Sequence, residues 1–312
     1  MTDPPGSFLS PGQDLLDSNA LAYSGRAPEA ARQAGLTRRW GWWYQAEWRL
    51  LAMKAYWTSI VGTAVLTPLL YVVAMGMGLG ALVDSRSGGI DGIPYLVFVA
   101  PGLLVSSLVM AATGETSYPV MAGFKWGRLY YARATTPASP LQVAVGELVA
   151  IGLRLAGEAV LCWSGLRALG AGTSAWSLLG IPIATLAGLA SGSLLMSFSA
   201  TREEEGAEFA MIQRFVVMPM FLFAGTFYPL ASMPPYLQWI GWISPMWHGT
   251  QLARMASYGL SLPWWEATGH VLFLLALLAV GGWLSVRNFV VRLARCAPSP
   301  EALAAAVPSA AG

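Results

Sequence analysis

Three ionisable residues stand inside one long apolar run. They are Glu147, Arg154 and Glu158, between Pro140 and Trp163. Arg154 and Glu158 are four apart and lie on one face of a helix, where they can pair. Glu147 is two turns before Arg154, on the same face. Charges in hydrocarbon are costly, and they face a bundle interior or water. Two chemistries fit: a polar strip that governs a conduit or a conformational change, or an intramembrane ion network that locks helix packing. Glu115 ends another apolar run, just before Lys125 and Arg128. There it can snorkel, pair with either cation, or cap a bend.

The motifs of soluble catalysis are absent. Lys54 and Lys125 are the only lysines, and neither follows the glycines of a phosphate-binding loop. His248 and His270 are far apart in the chain and read as hydrogen-bonding or interfacial residues, with a metal pair as the alternative. Cys162 and Cys296 form no framework and have no metal-ligand spacing. No catalytic, cofactor-binding or metal residue is assigned, no nucleic-acid partner is expected, and ATP hydrolysis would need another subunit.

These side chains must be positioned by membrane helices. Of 312 residues, 55% are hydrophobic and 11% are charged, against about a quarter charged in soluble domains. A bilayer core needs roughly 20 apolar residues per helix. Six runs qualify, at about 57–80, 94–113, 140–163, 176–200, 209–227 and 268–289. The expected fold is therefore all-α, a polytopic membrane protein with six transmembrane helices. Residues 1–35 and 297–312 are read as flexible tails, with 36–296 as the transmembrane domain.

Basic residues orient it. With the N-terminus inside, fourteen cations are cytoplasmic, from Arg26 to Lys54, from Lys125 to Arg133, at Arg202 and Arg214, and from Arg287 to Arg295. Only Arg86, Arg167 and Arg254 fall outside. Both termini are expected in the cytoplasm, in a bacterial inner membrane.

Three further segments do not span. Residues 37–55 alternate aromatic and basic groups at helical spacing and read as an interfacial helix. Residues 119–139 carry Lys125, Trp126, Arg128, Tyr130 and Arg133. Residues 228–266 are too apolar for an aqueous loop. They read as short outer re-entrant helices, with Tyr236, Trp239, Trp242 and Trp247 at the outer face. The run Arg202, Glu203, Glu204, Glu205 is either a solvated turn or a docking surface. On the fifth helix Met218, Phe221, Leu222 and Gly225 share a face. That face is either a core or lipid-facing stripe or a hydrophobic substrate path.

The stretch 221–254, FLFAGTFYPLASMPPYLQWIGWISPMWHGTQLAR, resembles the C-terminal signature of ABC-2-type export permeases. YLVFVAPGLLVSSLV at 95–109 and RATTPASPLQ at 133–142 are similar to two further motifs of that family. The resemblance covers about 40–290 and is closest to the branch of nodulation lipo-oligosaccharide and daunorubicin-resistance permeases. It implies six helices, a second permease subunit (identical or homologous) and two separate ATPase subunits holding ATP and Mg. It also implies that 37–55 is a connecting helix, that 119–135 couples to the ATPase, and that helices two and five wall a substrate route. The implied activity is export of an amphipathic, lipid-linked or drug-like molecule. An ion-coupled secondary transporter and a membrane-embedded acyl or glycosyl transferase are the competing readings. Against them stand the absence of an internal repeat and of an Asp or His cluster at one interface.

Overall fold

Proline and serine decide where several helices begin. The computed structural model describes residues 27–62, 66–134, 136–172, 174–203 and 206–295, and these fold almost entirely into helices. The expected tails thus lie largely outside the described residues (1–26 and 296–312, with Arg26 and Cys296), as do Glu204 and Glu205 of the acidic turn.

The helices are α1 (Ala27–Met53), α2 (Trp57–Val61), α3 (Thr67–Ser87), α4 (Tyr95–Thr116), α5 (Tyr118–Lys125) and α6 (Leu129–Ala134). They continue with α7 (Pro140–Ala168), α8 (Gly180–Thr201), α9 (208–223), α10 (Pro235–Ile243), α11 (Pro245–Tyr258) and α12 (Trp264–Ala294). In α3 and α9 the helix widens to π geometry over Val72–Leu79 and Gln213–Val217, a device frequent at functional sites.

Local chemistry explains the ends. Before α7, the Ser139 hydroxyl accepts from the Gln142 amide at 3.2 Å, and the Gln142 side chain accepts from the Ser139 amide at 3.0 Å. That capping box satisfies two otherwise orphan donors. Gln142 also donates to the Arg38 carbonyl at 2.7 Å, which ties α1 to α7. The chain breaks between α4 and α5 at Ser117, and Pro119 opens the next helix. Helix α11 starts at Ser244–Pro245 and stops at Gly259, which takes the left-handed conformation.

Four helical stretches are long and apolar enough to cross a membrane: Thr67–Ser87, Tyr95–Lys125, Ala175–Thr201 and Trp264–Ala294. Helix α7 is equally long but carries Glu147, Arg154, Glu158 and Arg167. The run expected at 209–227 is helical only to Phe223. Ala224 leaves the helix and Gly225 turns with φ of 75°.

Small residues bring the central helices together. A Cβ on Gly188 would stand 3.0 Å from the Leu108 carbonyl, and one on Gly192 would stand 3.2 Å from Ala112. Across the other side of α8, the Ser285 hydroxyl of α12 donates to the Ser193 carbonyl at 2.7 Å. Close backbone approach of this kind supplies packing where no hydrophobic effect acts between helices. Helix α1 meets α7 in the same way, since a Cβ on Gly146 would clash with the Trp42 carbonyl at 2.6 Å.

Candidate functional site

Of the three charges of the third apolar run, Arg154 and Glu158 pair directly, and Glu147 joins them through partners on other helices. Arg154 holds Glu158 at 2.8 Å and also contacts Glu115 of α4. Glu115 lies 3.3 Å from Arg49 of α1, and Arg49 lies 3.0 Å from Glu147. Glu147 then meets Arg133 of α6 at 3.4 Å, and its charge acts on the buried Tyr130 phenol. Three carboxylates and three guanidiniums alternate in one chain, so the set is neutral overall. Glu147 is fully buried. A buried charge survives only where partners of this quality surround it.

The order corrects one expectation. Glu147 and Arg154 share a face of α7, yet Arg49 and Glu115 stand between them in the network. Sequence reasoning left out Arg49 and Arg133, because both are remote from Glu147 or face it only through the bend after α6. Glu115 pairs with Arg49 and Arg154 rather than with Lys125 or Arg128.

A cavity of about 350 Å³ opens beside this chain. It is lined from α3 by Pro68 and Tyr71, from α4 by Leu108, Met110 and Gly114, from α7 by Arg154 and Glu158, and from α9 by Phe221. Of the expected substrate path, only Phe221 reaches it. Phe221 is buried and meets Tyr71 edge-on, with ring centroids 5.6 Å apart. Met218 and Leu222 point outward and are exposed. Gly225 lies beyond the helix, so helical spacing cannot place it on their face.

At one end of the bundle, α5 and α6 form a bent pair. Phe124 and Tyr130 pack with Phe289 of α12, at centroid distances of 4.8 and 5.0 Å. Trp126 and Arg128 stand exposed at the tip, and Arg128 has φ of 45°. Lys125 ends α5 beside them, half-buried. Tyr130 differs from the expectation: it is 2% exposed and presents no surface to a partner. Burial, then the Glu147 charge, pushes its phenol well above the ordinary range, so it stays neutral. Exposed Glu203 follows α8 at the same end, where α5 packs on α8.

At the opposite end, α10 shows Tyr236, Trp239 and Trp242 outward, while Trp247 of α11 packs inward. Helix α11 wedges between α4, α8 and α12. Its Arg254 is 3% exposed and donates to the Gly225 carbonyl at 2.8 Å, and to those of Thr226 and Phe98 at 3.3 Å. It thereby clamps the turn after α9 onto α4. The sequence carried one signal for it: Arg254 is one of only three arginines on the side expected to be poor in positive charge. The two histidines, distant in sequence, meet with Nδ1 atoms 2.7 Å apart. His248 Nε2 lies 2.9 Å from the Trp242 carbonyl and so carries its hydrogen, which leaves His270 Nδ1 as the donor between the rings. No group of three or more His, Cys, Asp or Glu residues able to hold a metal occurs among the described residues.

The described residues thus form a helical bundle with four apolar stretches long enough to cross a membrane and an ion chain inside it. Residues 42–258 match the ABC-2 type transporter family, and the chain belongs to that family. Among its relatives, Nodulation protein J of Rhizobium meliloti (strain 1021) is 31% identical over 229 residues, which cover 71% of this chain and 84% of the relative. The Sinorhizobium fredii (strain NBRC 101917 / NGR234) Nodulation protein J is 31% identical over 224 residues, covering 70% and 81%. The Inner membrane transport permease YadH of Escherichia coli (strain K12) is 25% identical over 199 residues, covering 61% and 72%. No solved structure matches the chain.

Proposed function

We propose that this chain is the membrane subunit of an ATP-driven exporter that moves an amphipathic, lipid-linked or hydrophobic drug-like molecule out of the cytoplasm or inner leaflet. One observation carries the reading. The ion chain runs without interruption from Arg133, next to the exposed tip, to Glu158 on the wall of the cavity. A movement imposed at the tip therefore has a charged, directional connection to the place where a ligand would sit.

In this reading the chain crosses an inner membrane six times, with α2 and α3 as the first crossing and both termini in the cytoplasm. Helix α1 lies on the inner face, and α10 and α11 dip in from the outer face. Lys125, Trp126, Arg128, Glu203 and Glu204 meet the ATPase, which binds ATP and Mg. Two permease and two ATPase subunits form the transporter. The ion-coupled alternative is less well supported, because Glu147 and Glu158 each face a guanidinium and neither is a lone acid awaiting a proton.

Co-expression with a candidate ATPase subunit, purification of the complex and reconstitution into liposomes test the reading. ATP-dependent movement of a lipid, glycolipid or drug from a panel is the expected result. A permease that never retains an ATPase, and liposomes in which ATP drives nothing, would reject it.

A further inference from the structure

A second cavity, of about 480 Å³, opens at the end of the bundle away from the α5–α6 tip. Trp247, Gln251, Arg254 and Tyr258 of α11 line it. Steps of four, three and four residues put them on one face of that helix. Arg254 is the charged member and is 3% exposed. Its Nε and Nη2 donate to the carbonyls of Phe98, Gly225 and Thr226, and its guanidinium carbon stands 3.8 Å from the centre of the Phe98 ring. These neutral groups solvate the charge and leave it whole. Among the described residues Nη1 has no partner and no carboxylate pairs with Arg254. The Gln251 amide and the Tyr258 hydroxyl make no hydrogen bond among them either. Asp91, the one acid on the wall, is exposed in the loop between α3 and α4, where water screens it. A buried guanidinium without a counter-charge is strongly unfavourable.

We propose that this cavity binds a phosphate group, carried by a phospholipid head or by a small soluble ester, with Arg254 Nη1 as the charged donor and the Gln251 amide and Tyr258 hydroxyl beside it. The guanidinium fork matches phosphate oxygens, and an anion seated there cancels the one buried charge of the site. Ile93, Leu230 and Leu260 supply apolar wall for the group that carries the phosphate. Exposed Trp242 borders the same space, and its ring suits the depth of lipid head groups. The volume falls within the range of about 300–1,000 Å³ that holds small ligands. This site is separate from the cavity beside the ion chain and does not depend on the export reading.

The test uses the full chain, stripped of lipid in a maltoside detergent that carries no phosphate. Calorimetry measures the binding of glycerol 3-phosphate, of dihexanoyl phosphatidylglycerol and of dihexanoylglycerol, which lacks the phosphate. Phosphatidylglycerol should bind about tenfold tighter than dihexanoylglycerol, the scale of one charged hydrogen bond. Equal affinity for glycerol 3-phosphate would identify a soluble ester as the ligand, and much weaker affinity a lipid head. Gln251→Glu places a carboxylate one turn before Arg254, within pairing reach, so the chain supplies its own anion. Probe binding should be abolished at an unchanged or higher melting temperature. Gln251→Met removes the amide at similar volume and should weaken binding about threefold; it carries the test if Gln251→Glu melts early. Phosphate probes bound no better than dihexanoylglycerol, or binding undiminished in the Gln251 variants, overturns the inference.

Discussion

Arg49 Nε sits 3.0 Å from Glu147 Oε1, joining the N-terminal helix to a carboxylate with no exposed surface. The same guanidinium reaches Glu115, and the neighbouring Trp48 ring lies under Arg133, 3.9 Å from its guanidinium carbon. Helix α1 is thus fastened to the bundle by charge and by stacking together, at the end where α5 and α6 turn.

Removing Arg49 should therefore leave Glu147 with Arg133 alone and Glu115 with Arg154 alone, one carboxylate of the chain in net excess. Arg49→Ala is expected to destabilise the detergent-solubilised chain by about 3–5 kcal/mol, seen as a lower melting temperature. Adding Glu147→Gln should restore part of it. Arg154→Ala should behave alike, with rescue from Glu115→Gln and Glu158→Gln. Single variants as stable as the parent, with only transport lost, would favour the conduit role for these charges.

The tip can be separated into charge and backbone. Arg128 holds a left-handed conformation that glycine adopts readily. Arg128→Gly should keep or slightly raise stability, yet lower ATPase activity in the complex, and Lys125→Glu with Arg128→Glu should lower it further. Tyr130→Phe should instead cost about 1 kcal/mol of stability and leave ATPase binding intact, because the ring is buried. ATPase assays beside thermal melts distinguish these outcomes, and full activity in the double reversal would remove the tip from coupling.

The turn after α9 is held by conformation and by Arg254. Gly225→Ala places a side chain at φ of 75° and should cost about 1–2 kcal/mol. Arg254→Lys cannot reproduce the fork that reaches three carbonyls and should also lower the melting temperature. If Gly225→Ala melts with the parent and changes only substrate preference, Gly225 belongs to the substrate path after all.

The histidine contact gives a pH dependence. Burial, with a smaller contribution from His270, holds His248 down at about 4, from the ordinary 6.5, although the Trp242 carbonyl opposes the shift. Between those values the unfolded chain binds more protons than the folded one. The contribution is therefore complete above about 6.5 and is lost as pH falls towards 4. Melting temperatures over that window should fall more steeply in the parent than in His248→Gln, and parallel curves would contradict the assignment.

Orientation is open to direct chemistry. In a chain with Cys162 and Cys296 replaced by alanine, single cysteines at exposed Ser87 and Ser232 should react with an impermeant thiol reagent on intact cells. One at exposed Glu203 should react only after permeabilisation. Labelling of the Glu203 position in sealed cells would invert the topology.

Much of this protein is written locally. Apolar runs of bilayer length, Ser139–Pro140 and Ser244–Pro245 at helix starts, and the aromatic-basic pattern of 37–55 are readable because helix formation depends on neighbours within a turn or two. The pairing of Arg154 with Glu158 is likewise a matter of spacing. What the chain does not display is which distant groups share a buried site. Arg49, Glu115, Arg133 and Glu147 come from four helices, and His248 finds His270 across a loop. Tyr130 looks like a surface aromatic until Phe289 covers it, and Gly225 looks helical until the chain turns. Those outcomes follow from tertiary packing. In a low-dielectric interior every charge and donor must find a partner wherever the chain brings one, and no local pattern encodes that distance.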